Sequence, residues 1–349
     1  MRILLTADPE LPVPPVLYGG IERIVAMLVE GLVEKGFEVG LVAHAESTAH
    51  ADRFFAWPGR KSQQPLDTLR NTATLHSAVK AFRPDLVHSF SRLLYALPLL
   101  TTRLPKIMSY QRPPGARQVA WASRLSRRSL MFTGCSEHIC EQGRKGGGTW
   151  HTVHNCVDVD RYTFQPSVAA DAPLVFLSRV ERIKGAHIAI RIAQEARRRL
   201  VIAGNHGTGG EEGRYWREEI LPHLEPGRVD YVGPVDDTQK NALLGSAAAL
   251  VVPVLWDEPF GIVFAEALAC GTPVISYPRG ALPEIVRDGV EGFLAVDLAD
   301  ACATVKNLPM IQRSSCRARA QQLFSMPVMV EKYERLYRDH ASVGSSGEA

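Results

Sequence analysis

The sequence lacks most of the devices that hold small or specialised proteins together. Its six cysteines (Cys135, Cys140, Cys156, Cys270, Cys302 and Cys316) form no Cys-x-x-Cys pair and show no metal-ligand spacing with the histidines. A disulfide framework and a zinc site are therefore poor readings, and reduced thiols in a cytoplasmic protein are expected. No apolar run approaches the roughly 20 residues that span a bilayer. The first one, Arg2 to Ala7, stops at Asp8 and reads as a strand rather than a signal peptide. A net charge of +3 makes no general case for nucleic acid as a partner. Neither half carries a Gly-x-Gly-x-x-Gly fingerprint, which speaks against a dinucleotide-dependent dehydrogenase. Short-period repeats and low-complexity segments are absent as well.

What is present is ordinary globular material: 349 residues, 46% hydrophobic and 22% charged, enough for two packed domains without staples. Apolar runs of strand length alternate with helical patterns. In the first half, strands are expected at 2–6, 39–44, 85–90, 106–110 and 130–135. A helix carries Ile21, Ile24, Val25, Leu28 and Leu32 on one face before Gly36, and another runs through Leu75 and Val79 towards Pro84. The pattern fades over 158–173 and restarts, with strands expected at 174–178, 199–203, 229–232, 249–254 and 273–277. This alternation predicts an α/β fold of two Rossmann-like, doubly wound halves with mostly parallel sheets. The expected boundaries are 1–160, a linker at 161–173, 174–325, and a C-terminal segment 326–349. That segment holds a helix near 327–340, marked by Met329, Tyr333, Leu336 and Tyr337, and then a frayed tail.

The most informative stretch is Glu258-Pro259-Phe260-Gly261-Ile262-Val263-Phe264-Ala265-Glu266, set between the apolar runs 248–255 and 273–277. Strand, glycine-bearing loop, helix, Gly271 stop and strand make a βαβ unit. Ligands collect at the carboxyl ends of strands in such units. Glu258 is expected at a strand's mouth, with Glu266 about one helical turn deeper in the same crevice. The backbone N–H groups from Phe260 to Val263 would open the helix towards oxygen ligands. Two carboxylates beside such donors suit a polyol and a phosphate. Either glutamate alone could also be an ordinary helix-start residue.

Other segments extend the pattern. They are Tyr18-Gly19-Gly20-Ile21-Glu22 near the start, Asp85-Leu86-Val87-His88, His154-Asn155-Cys156-Val157-Asp158, Ser178-Arg179, and Lys184-Gly185. Together with the Glu258–Glu266 stretch they resemble, in order, the motifs of retaining two-Rossmann-domain (GT-B) glycosyltransferases of family 4, group 1 type. The opening Tyr18-Gly19-Gly20-Ile21-Glu22 is loosely similar to the avilamycin-type bacterial branch. Two departures stand out: Cys156 where the family has glycine, and Phe90 where a second histidine is common.

The resemblance implies two Rossmann-like domains facing across a cleft, the first holding the acceptor and the second a nucleotide diphosphate sugar. The last helix is expected to cross back to the first domain. Arg179 and Lys184 would grip the diphosphate, the guanidinium through two oxygens and the ammonium as a point charge. They would replace a divalent cation, so no metal and no cofactor is expected. Glu266 would accept ribose hydroxyls, Glu258 the hydroxyls of the transferred sugar, and Gly19 and Gly20 would lie against the donor phosphates on the acceptor side of the cleft. Gly233 and Val235 would meet the base through the main chain. His88 would look into the cleft as a catalytic or orienting group, although a satisfied structural histidine fits the same pattern. Asn155 and Asp158 would fix the hinge.

The activity so implied is a retaining, metal-independent hexosyltransferase of carbohydrate biosynthesis, acting on a glycan, lipid-linked or small-molecule acceptor. A nucleotide-sugar epimerase on the same fold and a non-catalytic sugar-nucleotide or glycan-binding protein are the alternatives. Between Arg103 and Arg128 the charged residues are Arg103, Lys106, Arg112, Arg117, Arg124, Arg127 and Arg128, with no acid among them. A solvated basic face is the simpler reading of this run. Weak peripheral contact with an anionic membrane, on its inner face, is the other.

Overall fold

The computed structural model describes residues 1–16 and 19–345, with side chains through residue 341. Tyr18 of the glycine-loop motif and the last four residues lie outside this range. The chain forms two compact units, Met1–Cys156 with the C-terminal segment from Met326, and Val157–Ser325.

The first unit contains a sheet of β1 (Arg2–Thr6), β2 (Glu38–Ala43), β3 (Arg53–Ala56), β4 (Leu86–Ser89), β5 (Lys106–Tyr110), β6 (Leu130–Gly134) and β7 (Trp150–Thr152). Its order is β3-β2-β1-β4-β5-β6-β7, and every pair is parallel. The second unit repeats the plan with β8 (Leu174–Leu177), β9 (Leu200–Ala203), β10 (Val229–Gly233), β11 (Ala249–Val251), β12 (Val274–Ser276) and β13 (Gly292–Leu294). That sheet runs β10-β9-β8-β11-β12-β13, again all parallel. Both orders reverse direction once, between β1 and β4 and between β8 and β11. At such a point the two loops leave in opposite directions and open a crevice at the strands' carboxyl ends.

Ten of the strands answer the apolar runs read from the sequence. The other three, β3, β7 and β13, were not expected. Each is three or four residues long and sits at a sheet edge, too short for periodicity to register.

The stretch expected as a linker belongs to the second unit. Val157 N–H donates to the Phe324 carbonyl at 2.7 Å, and Gln165 N–H to the Cys270 carbonyl at 3.0 Å. Arg313, 8% exposed, donates to the carbonyls of Gln165, Ala247 and Gly245 and to the Thr272 hydroxyl at 2.7–3.1 Å. Arg317 holds the Tyr162 carbonyl at 2.8 Å. A buried guanidinium has five donors to place, and the Gln165 carbonyl of this segment is one of the acceptors that Arg313 finds. The boundary accordingly falls after Cys156 rather than at 161. Cys156 is buried and its backbone is not at positive φ, so the family's glycine is not needed here.

The C-terminal helix Met326–Ser345 belongs to the first unit and packs on the helix Gly20–Glu34. A Cβ on Gly31 would lie 2.5 Å from Val330, so the two helices approach too closely there for any side chain. The same helix accounts for His88. That ring is fully buried, with Nδ1 2.7 Å from the Tyr337 hydroxyl and Nε2 2.6 Å from the Ser109 hydroxyl. Phe90, Tyr333 and Tyr337 surround it, with ring centroids 4.4–5.6 Å away. The expectation that His88 looks into an open cleft is therefore corrected. Tyr333 and Tyr337, from far along the chain, close over it.

Two measurements test these contacts. Replacing Arg313 by leucine leaves three carbonyls and a hydroxyl without their donor and should cost about 3 kcal/mol or more in urea unfolding, with new protease cuts in 157–173. Wild-type stability would refute the strap. Burial lowers the His88 pKa to about 3, against about 6.5 in the unfolded chain. Below pH of about 6.5 the unfolded chain takes up a proton that the folded chain refuses, so stability falls with pH by about 1.4 kcal/mol per unit until roughly pH 3. His88→Gln removes this component, and its stability gap from the parent should narrow as pH falls; parallel pH profiles would contradict the assignment.

Candidate active site

The second unit's crevice at its switch point is set by three loops. After β8 the chain turns through Arg182–Lys184 and Gly185 into the helix Ala186–Glu195. Gly185 has φ +78°, and a Cβ there would lie 2.2 Å from the Pro253 carbonyl oxygen, so the loops after β8 and β11 touch through main chain. After β11 the chain runs through Glu258 to Gly261, at φ +81°, which opens the helix Ile262–Ala269. Gly280, after β12, supports Glu258 from below. A Cβ on it would stand 2.2 Å from the Glu258 carbonyl oxygen, and Ala281 N–H donates to that oxygen at 2.8 Å.

These loops bring two sequence candidates into direct contact. Lys184 Nζ lies 2.5 Å from Glu258 Oε2, with both residues at least nine-tenths buried. Trp256 completes the pair from two directions. Its Nε1–H donates to the same Glu258 oxygen at 2.9 Å, and its ring centroid lies 4.8 Å from Lys184 Nζ. A buried carboxylate is tolerated because an ammonium and an N–H donor meet it. The pair is locally neutral and sits at the carboxyl ends of β8 and β11.

Glu266 is satisfied in the same manner. Its Oε1 accepts from Lys240 Nζ at 2.6 Å and from the Tyr162 hydroxyl at 2.7 Å. Burial opposes the Lys240 ammonium, but the Glu266 and Asp237 carboxylates outweigh it and hold the lysine pKa above its ordinary value. Burial first, and then the Glu266 charge, push the Tyr162 phenol well up, so it remains a donor to the carboxylate. Neither partner was read from the sequence. Lys240 lies on the helix Asp237–Ser246, and Tyr162 belongs to the stretch read as a linker.

The remaining candidates are placed differently. Arg179 is exposed and ion-paired with Glu181. Phe260 is 2% exposed and packs edge-on against Phe324, so its side chain is core. Ile262 and Val263 are partly exposed at the helix start. Gly233, at φ +77°, gives its carbonyl to Gly204 N–H at 2.9 Å, and Val235 is partly exposed just beyond. Beside them lies an aromatic group missed in the sequence. The His206 ring stacks on Trp216 with centroids 3.9 Å apart, and Tyr231 is tilted 4.6 Å from Trp216.

In the first unit, Gly19 is buried and Gly20 begins the helix Gly20–Glu34. A Cβ on Gly19 would be 2.7 Å from Pro15 Cβ and 2.9 Å from Glu22 Oε2, so this glycine leaves room for the Pro15 ring and for a buried carboxylate. Burial raises the Glu22 pKa. Asp8, just past the end of β1, is raised to about 6, by burial first and then by Glu10. Sequence reading singled out neither residue as a site. His88 stays out of any site, for the reason given above. Asp158 and Asp160 have an Asp-x-Asp spacing, but Asp158 is paired with Arg161 at 2.7 Å. Among the described residues no group of three or more His, Cys, Asp or Glu side chains stands close enough to share a metal ion.

Comparisons with known proteins agree with this architecture. Residues 164–319 match the family of group 1 glycosyl transferases, and residues 18–161 match glycosyltransferase family 4. A glycogen synthase of Mycobacterium tuberculosis (strain CDC 1551 / Oshkosh) is 27% identical over 384 aligned residues, 93% of this chain and 91% of that one. AviGT4, a glycosyltransferase involved in avilamycin A biosynthesis, superposes with a TM-score of 0.73 at 25% identity, over 98% of both chains. Alr3699/HepE of Anabaena, solved with UDP and glucose, superposes with a TM-score of 0.74 at 19% identity, over 97% of this chain and 100% of that one, a likeness of fold alone. With parallel sheets of the GT-B kind in both units and family matches from residue 18 to residue 319, this chain belongs to glycosyltransferase family 4, of the group 1 type.

Proposed function

We propose that this glycosyltransferase is retaining and metal-independent, moving a hexose-like unit from a nucleotide diphosphate sugar to an acceptor hydroxyl. The observation that carries the reading is the buried Lys184–Glu258 pair at the switch point of the second sheet. An arriving diphosphate would compete with Glu258 for the Lys184 ammonium, and Arg179, exposed at the same loop, would add a guanidinium. Glu258, released in part from its ion pair, would accept hydroxyls of the sugar. Glu266, held by Lys240 and Tyr162, would accept those of the ribose. The acceptor would be held by residues of the first unit, near Gly19, Gly20 and the partly protonated Asp8.

In the proposed step the bond from the anomeric carbon to the diphosphate oxygen breaks, and the acceptor oxygen bonds to that carbon on the same face. The acceptor proton passes to the departing phosphate oxygen. The chain's residues supply position and charge rather than a covalent nucleophile. The solved complex of HepE with UDP and glucose makes UDP the first nucleotide to try. A cytoplasmic location is part of this reading, and the six cysteines form no disulfide with one another.

Two experiments test this. In a thermal-shift panel of UDP, GDP, ADP and dTDP with and without EDTA, one nucleotide at about 100 times its Kd should add about 2.7 kcal/mol of stability. Loss of the shift in EDTA would end the metal-independent reading, and no shift with any nucleotide would end the donor assignment. In the second, Glu258→Gln and Lys184→Met should each lower kcat by about a hundredfold or more, with the product keeping the donor's anomeric configuration. Near-wild-type turnover in both variants, an inverted product, or a rearranged sugar released without acceptor would defeat the proposal.

A further inference from the structure

The helix Ala116–Ser126 in the first unit turns Val119, Ala122 and Ser126 inward, where Val119 and Ala122 pack with Met108, Leu130, Phe132 and Trp150. Its outward face is unusual. Arg117, Trp121, Arg124 and Leu125 are all exposed at the spacing of one helical stripe. Trp121 is 45% exposed, whereas Trp57, Trp150 and Trp216 are buried. Arg127 and Arg128 follow directly and are exposed too. From residue 86 to residue 136 the sequence contains no aspartate or glutamate. The neighbouring helix Glu137–Arg144 does bring acids. Its two acids, Glu137 and Glu141, are matched in number by Arg144 and Lys145, and Glu137 is held by Arg144 and the Thr152 hydroxyl. The face therefore keeps an excess of positive charge around two apolar side chains.

We infer that this face is a docking surface for an anionic lipid bilayer. An indole and an aliphatic side chain flanked by guanidiniums match the water–lipid boundary. There the apolar groups enter below the headgroups while the cations remain at the phosphate level. Attraction to an anionic leaflet acts over about a Debye length and is screened by salt. A soluble polyanion would use the arginines but leave Trp121 and Leu125 without a role, which is why the bilayer is favoured. No helix among the described residues is long and apolar enough to cross a membrane, so the contact is peripheral. The surface is independent of the donor site, and its test needs no sugar donor.

The test is sedimentation of the whole protein with phosphatidylglycerol-containing vesicles, with vesicles of phosphatidylcholine alone, and with soluble polyphosphate as a competitor, at low and high salt. Binding to the anionic vesicles at low salt, loss of binding at high salt, and a blue shift of tryptophan emission that disappears in Trp121→Phe are expected. Trp121→Ser and the double variant Arg124→Glu/Arg128→Glu should each weaken binding by about tenfold or more, with melting temperature and nucleotide-induced shift unchanged. Absence of binding at low salt overturns the inference, as does binding that neither variant weakens. Equal capture by polyphosphate with no effect of Trp121→Ser would reassign the face to a polyanion.

Discussion

A carboxylate taken out of water must be met by a cation or by donors that replace its hydration, and this requirement organises the second unit. Glu258 and Glu266 are both more than nine-tenths buried, and each has a lysine and an aromatic donor on one oxygen. The loops after β8, β10 and β11 are shaped to deliver those partners. Gly185 and Gly280 allow main chain to pack against main chain where a Cβ would collide, which brings Lys184 and Glu258 within ion-pairing distance. Were either cation absent, the remaining carboxylate would carry the full cost of its burial. The same pairs are suited to an anionic, hydroxyl-rich ligand, because a diphosphate and sugar hydroxyls can take over what the side chains now give each other.

The first unit has the same strand order but uses its crevice end differently. Past the end of β1 stands Asp8, and Glu22 is buried against Gly19 at the start of the following helix. Burial pushes both carboxylates towards the protonated form, and among the described residues neither has a lysine ion pair of the kind that meets the two glutamates of the second unit. Asp8, with its carboxyl pushed up to about 6, can change between donor and acceptor near that pH. The two halves thus share a scaffold and differ in the chemistry at its mouth, as expected where function is carried by loops and not by the fold.

The C-terminal helix contributes to the first unit by closing a polar pocket inside it. His88, Ser109, Tyr333 and Tyr337 satisfy one another across a sheet and a helix distant in sequence. Such a network is specific because each member would be costly without the others. Its position explains how a histidine that resembles a site residue in sequence becomes an interior support.

Alternation of apolar runs and helical faces was sufficient to read two parallel, doubly wound halves, because strand length, helix period and glycine stops are local properties. The same local logic placed Glu258 and Lys184 at loop mouths after β11 and β8. It could not say that they touch, since their contact joins residues 74 positions apart. Nor could it find Lys240 and Tyr162, whose ordinary surroundings in sequence carry no mark of the carboxylate they meet in space. The stretch 161–173 looked like a linker because it lacks periodicity, yet Arg313 and Arg317 bind its main chain, and main-chain acceptors leave no trace in residue identity. For His88 the sequence offered two readings, cleft or core, and tertiary structure decided between them. Burial depends on what packs over a residue, and here that is a helix from the other end of the chain.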